Sequence, residues 1–460
     1  MRAELFVSLA LGIATTSWAA PDIQHWTTPQ GTNVYLVQSA AQPMLDVKID
    51  FDAGEDRATP QTAGVATLAA AELLDFEFEL MGNEMRTPFE KLRATGARYY
   101  TDVSTDRASL YLRVLTSQKE RALGVIGTQL SDAKFPNGSH AWRRKAWVTE
   151  LESSFGDRNK GSDATMARLL YGTHPYANQD VIGADTVDDL SNRDVRRFHG
   201  RYFLAKGAVV SIVGDIDRNT AEGLVTRLMQ HLPKEDPPAD LPALPMPAAK
   251  PGSTITVPKV DAAQSTVRFG LLLPPRNHPD YPALAIGNYI LGGGDLDSRL
   301  MREIRVNNGM AYSASSSLSP MRLGSEWQAS VNTKRDQTDA VLALMKKTVA
   351  DFVEQGPDAS ELETAKNYYR QRVPFWTESN AATLEWLSTM GYYQLPLTYL
   401  SDFPKAIEQL SAADVKAAWQ RWVKPEKMAI VIVGGQPKAA PAAKADAAGS
   451  TETKPEGAKP

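Results

Sequence analysis

Along Leu45–Phe51 the residues Leu45, Val47, Ile49 and Phe51 alternate with polar neighbours, the period-two pattern of a strand with one apolar face. Asn33–Val37, Arg98–Ser104 and Ala108–Leu115 also predict strands, and Ala208–Val213, apolar almost throughout, predicts a buried strand ending at Gly214. Between them Gly64–Leu74, GVATLAAAELL, is rich in alanine and apolar on nearly every side, which predicts a buried helix. Further helices are predicted near Thr87–Ala94, Lys119–Ser131, His140–Ser154, Asp163–Tyr171 and Ser191–Tyr202.

From Leu232 to Gly252 the chain reads LPKEDPPADLPALPMPAAKPG, too rich in proline for regular structure, and predicts a stiff extended linker. Beyond it, Ile255–Val257, Thr266–Leu273 and Glu326–Thr333 predict strands, and Tyr281–Leu291, Asp336–Glu354 and Ala359–Arg372 predict helices. The two sides of the linker repeat each other. Leu190, Ser191, Asp194 and Val195 recur as Leu410, Ser411, Asp414 and Val415, and the strand ending Val213-Gly214 recurs as the one ending Val433-Gly434, each pair 220 positions apart. A duplicated α+β unit follows from that spacing alone. The organisation predicted is residues 20–232, a linker at 233–252, a second unit at 253–436, and a tail at 437–460 whose Ala, Pro and Lys lack apolar periodicity and predict disorder.

Residues 1–19 read as a secretory signal peptide, with an apolar core from Leu5 to Ala14 followed by small residues, so an exported and most simply periplasmic protein is expected. The 460 residues contain no cysteine, which excludes disulfides, thiolate metal sites and thioether lipid anchors. A net charge of −4 with acids and bases interspersed gives no nucleic-acid surface. The six histidines, His25, His140, His174, His199, His231 and His278, are too far apart in sequence for any two to share a helical turn.

Chemistry concentrates in Ile290–Ser317, ILGGGDLDSRLMREIRVNNGMAYSASSS. A helix ending at Arg305, a left-handed stop at Gly309 and a returning strand with Tyr312 would hold a guanidinium and a phenol on rigid elements, two donors able to bind a carbonyl or the oxyanion it becomes. The run Gly292, Gly293, Gly294 lacks the lysine of a phosphate loop.

This stretch resembles the C-terminal signature of the pitrilysin (insulinase, mitochondrial-processing-peptidase) family: Leu-Gly-Gly, Ser-Arg-Leu, Glu-Ile-Arg, Gly-x-Ala-Tyr. The resemblance covers nearly all of the mature chain. It implies two homologous α+β domains, each a mixed, mainly antiparallel sheet covered by helices, forming a half-clamshell. It places on Arg305 and Tyr312 the pair that reaches across a closed chamber to the substrate, and on Gly292–Gly294 a close backbone approach to it. Active members carry His-x-x-Glu-His on a buried helix, with a third ligand, a glutamate, some seventy-odd residues later. Here Thr67, Ala70 and Ala71 stand at those positions, and Glu150 is the candidate for the third. The resemblance therefore implies a zinc-free subunit with no cofactor of its own, paired in a heterodimer with a homologous catalytic chain that holds the zinc and acts on peptides. Two alternatives stay open: a scaffold without peptidase activity, and a peptide-binding chamber formed by a homodimer.

Overall fold

The computed structural model describes residues 20–73, 88–153, 158–246, 248–257 and 262–434. The leader and tail predicted at 1–19 and 437–460 lie outside them. Among the described residues eleven strands form two sheets. The first contains β1 (Gln24–Thr27), β2 (Asn33–Gln38), β3 (Met44–Phe51), β4 (Arg98–Val103), β5 (Ala108–Leu115) and β6 (Val209–Gly214), in the order β1-β2-β6-β3-β5-β4. The second contains β7 (Thr254–Val257), β8 (Gln264–Leu273), β9 (Ala311–Pro320), β10 (Ser325–Lys334) and β11 (Ala429–Val433), in the order β7-β11-β8-β10-β9. Only β2 with β6 and β7 with β11 pair in parallel, so both sheets are mixed and mainly antiparallel. The second order repeats the last five strands of the first, with β8 following β3 and β11 following β6 at the spacing read from the sequence.

The helices of the first half are α1 (Val65–Glu72), α2 (Pro88–Arg93), α3 (Lys119–Ser131), α4 (Asn137–Ser153), α5 (Arg158–Tyr171), α6 (Ala184–Asp188), α7 (Asn192–Tyr202) and α8 (Arg218–Met229). Those of the second are α9 (Tyr281–Asn288), α10 (Arg299–Met301), α11 (Thr338–Gln355), α12 (Ala359–Arg372), α13 (Asn380–Tyr392), α14 (Tyr399–Gln409) and α15 (Ala412–Trp422). The apolar positions of β3, Leu45, Val47, Ile49 and Phe51, face a core completed by α1, α3, α7 and α8. Val267, Phe269 and Leu271 of β8 face the equivalent core with α9, α11 and α15. Ser191 and Ser411 cap α7 and α15 through the same reciprocal bond with Asp194 and Asp414, so the repeated residues are the helix-start signal itself.

Each half also gives one helix to the other. On the second face of the first sheet, Leu384 and Leu387 of α13 pack against Tyr35, Val37, Val209 and Val213. On the second face of the second sheet, Met166, Leu169 and Leu170 of α5 pack against Leu272, Ala429, Val431 and Val433. The sequence divides at the linker, but the packing does not. The proline-rich segment is extended, as its composition predicts, yet it is seated. Leu244 and Ala248 are buried, and the backbone N–H groups of Ala249 and Lys250 donate to Leu170 and Leu169 at 2.9 and 3.0 Å.

Candidate functional site

The segment before β9 is built to present one residue. Gly294 N–H donates to Tyr289 O at 2.8 Å and Met310 N–H to Ile304 O at 2.9 Å, widened helical turns that bring 289–293 and 302–307 over the edge of the second sheet. Gly309, at φ +61°, stops the second of them and turns the chain into β9. Arg305 and Tyr312 then meet, the guanidinium carbon 4.7 Å from the centre of the phenol ring. Tyr312 is 82% exposed, the most exposed of the large apolar and aromatic residues among those described. Neither side chain has a hydrogen-bond or ion-pair partner among the described residues, so the pair projects from the edge strand with its donors free. At this end of β9 the pairing with β10 shifts, Asn332 opposite Ser313 and Thr333 opposite Ala311, so that Tyr312 is the extra residue of a bulge.

The glycines before it serve the chain's own packing first. A Cβ on Gly292 would lie 2.5 Å from the backbone nitrogen of Ser316 in β9, and one on Gly294 would meet the Tyr289 ring at 3.0 Å. Gly292 is buried, and Gly293 alone of the three is exposed.

On the first half, α1 presents Thr67 and Ala71, both partly exposed, on the one side of the helix that the core does not enclose, while Ala70 is 2% exposed and belongs to the core. Methyl groups and a hydroxyl do not make a zinc site, and the position is committed elsewhere. Glu55, 1% exposed, takes the Thr67 hydroxyl at 2.7 Å and the Thr67 backbone N–H at 2.9 Å on one oxygen, and the Gly64 N–H at 3.0 Å on the other. Its carboxylate thereby caps a helix whose N-cap glycine has no side chain to do so. Burial raises its pKa in spite of those three bonds.

Trp147 of α4 comes to the N-terminus of α1, its ring 3.1 Å from where a Gly64 Cβ would stand. Glu150, three positions further, is exposed. The same two helices are joined by His140 and Glu72, Nδ1 to Oε1 at 2.9 Å, with the other ring nitrogen 3.1 Å from Leu190 O. The bond to Glu72 holds the imidazole pKa above its ordinary value. Glu55, Trp147 and the His140–Glu72 pair were not singled out from the sequence. The only signal for Glu55 was its place in the turn region ahead of a helix whose N-cap is a glycine. Among the described residues, no group of three or more His, Asp or Glu side chains is placed to hold a metal ion, and none of their helices is long and apolar enough to cross a membrane.

Residues 189–369, from α7 through α12 and including Arg305 and Tyr312, match the family described as "Peptidase M16 inactive domain". Among curated proteins, the "non-peptidase homolog YmxG" of Helicobacter pylori is 20% identical over 94% of this chain and 98% of its own length. Among solved structures, a peptidase M16 inactive domain from Pseudomonas fluorescens superposes with a TM-score of 0.83 at 28% identity, covering 90% of this chain and 98% of that one. At the level of fold alone, a chain of complex III from Candida albicans reaches a TM-score of 0.73 at 13% identity, over 90% of this chain and 96% of that one. The periplasmic protease PqqL of Escherichia coli also reaches 0.73, at 16% identity, with 95% of this chain matching 49% of that one.

Proposed function

The chain belongs to the peptidase M16 family as a non-catalytic member, and from that premise we propose that it is the zinc-free subunit of an exported two-chain peptidase. A homologous partner with an intact His-x-x-Glu-His supplies zinc and general base, while this chain closes the chamber and presents Arg305 and Tyr312 to the peptide. The observation that carries the reading is the stacked pair of a half-buried Arg305 and an exposed Tyr312. A tyrosine left 82% exposed beside an arginine with no partner of its own buries nothing and ties nothing in this chain. Two rigidly held donors at the edge of a sheet suit a carbonyl oxygen that gains negative charge as it is attacked. The exposed backbone at Gly293 offers the approach expected of the glycine run, and export accords with the leader read at residues 1–19.

The test is steady-state peptide hydrolysis by this chain mixed with a zinc-bearing homologue, with assembly followed by sedimentation. Heterodimer formation and peptide cleavage dependent on both chains support the reading. Full activity of the partner alone, unchanged by this chain, rejects it. A second reading, a scaffold without peptidase activity, is favoured by the Helicobacter relative described as a non-peptidase homolog. It gains if the complex forms and the Arg305 and Tyr312 variants retain full activity.

A further inference from the structure

The two halves meet at a cluster of charges around the turn between β9 and β10. Asp52, at the end of β3, accepts two bonds from Arg57, at 2.9 and 2.6 Å, and lies 2.9 Å from a guanidinium nitrogen of Arg322 in that turn. Asp106, between β4 and β5, accepts the Arg322 backbone N–H at 2.8 Å and the Ser104 hydroxyl at 3.2 Å. Tyr176 accepts the Leu323 N–H at 3.2 Å, so the turn is held by backbone as well as side chain. Two guanidiniums thus face two hydrogen-bonded carboxylates.

Asp56 is the fifth charged residue of the set. It is 2% exposed, and both of its carboxyl oxygens are enclosed without a hydrogen-bond partner. The nearest guanidinium nitrogen of Arg322 is 4.0 Å away. The groups around it are Arg57 in its own turn, Asp52 from β3, Asp106 from the β4–β5 turn, Arg322 from the β9–β10 turn, and the phenols of Tyr176 and Tyr392. Its neighbour Glu55 is spent on the N-terminus of α1. Arg107, next to Asp106, is turned to Asp50 at 3.5 Å and Ser388 at 3.0 Å, so a third carboxylate here would be buried against two others with no hydrogen-bonded cation of its own. Burial raises the Asp106 pKa as well, but Asp106 accepts hydrogen bonds that favour its anion and Asp56 accepts none, so Asp56 is the member that keeps a proton.

We infer that Asp56 is a carboxylic acid held neutral at the junction of the two halves and makes that junction a proton-fastened latch: freeing the turn at 320–324 releases the proton, so the halves hold more tightly as the pH falls. Burial, followed in size by the fields of Arg57, Asp52, Asp106 and Arg322, places its pKa at about 8. The folded pKa lies above the ordinary value of 3.8, so the closed junction binds one more proton than the open one between those two values. Stability from this group falls as pH rises through that window and levels off above about 8. The inference does not depend on the partner-subunit reading.

Hydrogen exchange of the Arg322 and Leu323 amides, corrected for intrinsic rates, reads the latch directly in the intact chain between pH 5 and 9.5. In the wild type the protection is expected to fall up to about tenfold per pH unit to pH 8 and then level off, as loss of one proton on opening requires. Asp56→Asn should remove that slope and raise Tm at pH 8, with the gain shrinking towards pH 5. Asp52→Asn, which breaks bonds to both arginines, should lower protection at every pH. Protection in the wild type that does not change with pH overturns the inference. An Asp56→Asn protein that keeps the wild-type slope also overturns it, since the proton would then belong to another group such as Asp106, and one that melts lower at pH 8 or fails to fold overturns it because the junction would then need an ionised Asp56.

Discussion

Lys48 and Arg268 stand 220 positions apart, at the same place on the inner faces of the two sheets, and each is tied to an acid on the helix that the other half contributes. Lys48 Nζ lies 2.6 Å from Glu385 on α13, and Arg268 pairs with Asp163 on α5. The sequence repeat thus extends to the contacts that hold the exchange together. Around Lys48 the inner face of β3 is charged and buried. Asp50 accepts Ser109 at 2.6 Å and Ser388 of α13 at 2.7 Å, and Asp46 accepts Arg113 at 2.6 Å.

Because each sheet lacks one of its covering helices when the chain is cut at the linker, the halves should not be independent folding units. Fragments 20–245 and 250–460, expressed separately, are expected to bind hydrophobic dyes and to melt without a cooperative transition. Co-expressed, they should assemble and regain cooperative melting. Two separately folded, dye-silent fragments would show that α5 and α13 add little.

The exposed pair at the edge of the second sheet should be separable from stability. Tyr312→Phe removes an unpartnered hydroxyl and Arg305→Ala a stacked but unpaired guanidinium, so unfolding free energies should stay within about 0.5 kcal/mol of wild type. In the reconstituted complex the same Tyr312→Phe change should lower kcat by roughly 10² to 10³, as loss of one oxyanion donor does. Denaturant titration beside steady-state kinetics distinguishes the two effects.

His140 and Glu72 make a second pH-dependent tie, between α1 and α4. The bond from Glu72 raises the imidazole pKa above 6.5, so the folded state favours the charged ring. That contribution is fully present below pH 6.5 and is lost as pH rises through the raised folded value. His140→Ala, which leaves Glu72 buried without its partner, is expected to cost about 3 kcal/mol at pH 6 and less at pH 8.5. Urea unfolding at the two pH values reads the difference, and equal costs would remove the imidazolium from the explanation.

The strands other than β1, most helices, the duplication and the Arg305–Tyr312 pairing were legible in the chain because they rest on local periodicity and spacing. The exchange of α5 and α13 was not. Both lie at equivalent places in the repeat, and nothing local says which sheet each will cover. For the same reason the polar alternates of β3, Asp46, Lys48 and Asp50, read only as a polar face, whereas α13 buries them. Neither α13 nor α14 was anticipated. The first is apolar on most sides and ends near Gly391, and the second carries Pro404 in its interior, normally a reason to end a helix. At α1 the loss of the ligand residues was plain, but the residue of α4 that faces them depends on the register of two packed helices, which sequence spacing fixes only to within a turn. A surface glutamate is the simpler reading of Glu150 from the sequence, and Glu150 is exposed; the spacing does not show that Trp147 packs on Gly64 at the start of α1.

That register can be tested by trying to rebuild a metal site. Thr67 and Ala71 are one turn apart on the partly exposed side of α1, so Thr67→His with Ala71→His restores two imidazoles at the spacing zinc requires without touching the buried Ala70. A bound ion would still lack a ligand from α4, since Trp147 lies against Gly64 and Glu150 is turned to solvent. The Glu55 carboxylate, held by the N-terminal N–H groups of α1, is not free to serve. The double variant should therefore bind zinc weakly by calorimetry. Adding Trp147→Glu should tighten binding by more than about tenfold, because it supplies a third donor and removes the ring that fills the space. Adding a substitution at Glu150 instead, Glu150→Ala, should leave the affinity of the double variant unchanged. If the double variant alone binds zinc tightly and Glu150→Ala abolishes that binding, then α4 can turn Glu150 towards α1, and the position lost only the two histidines and the base.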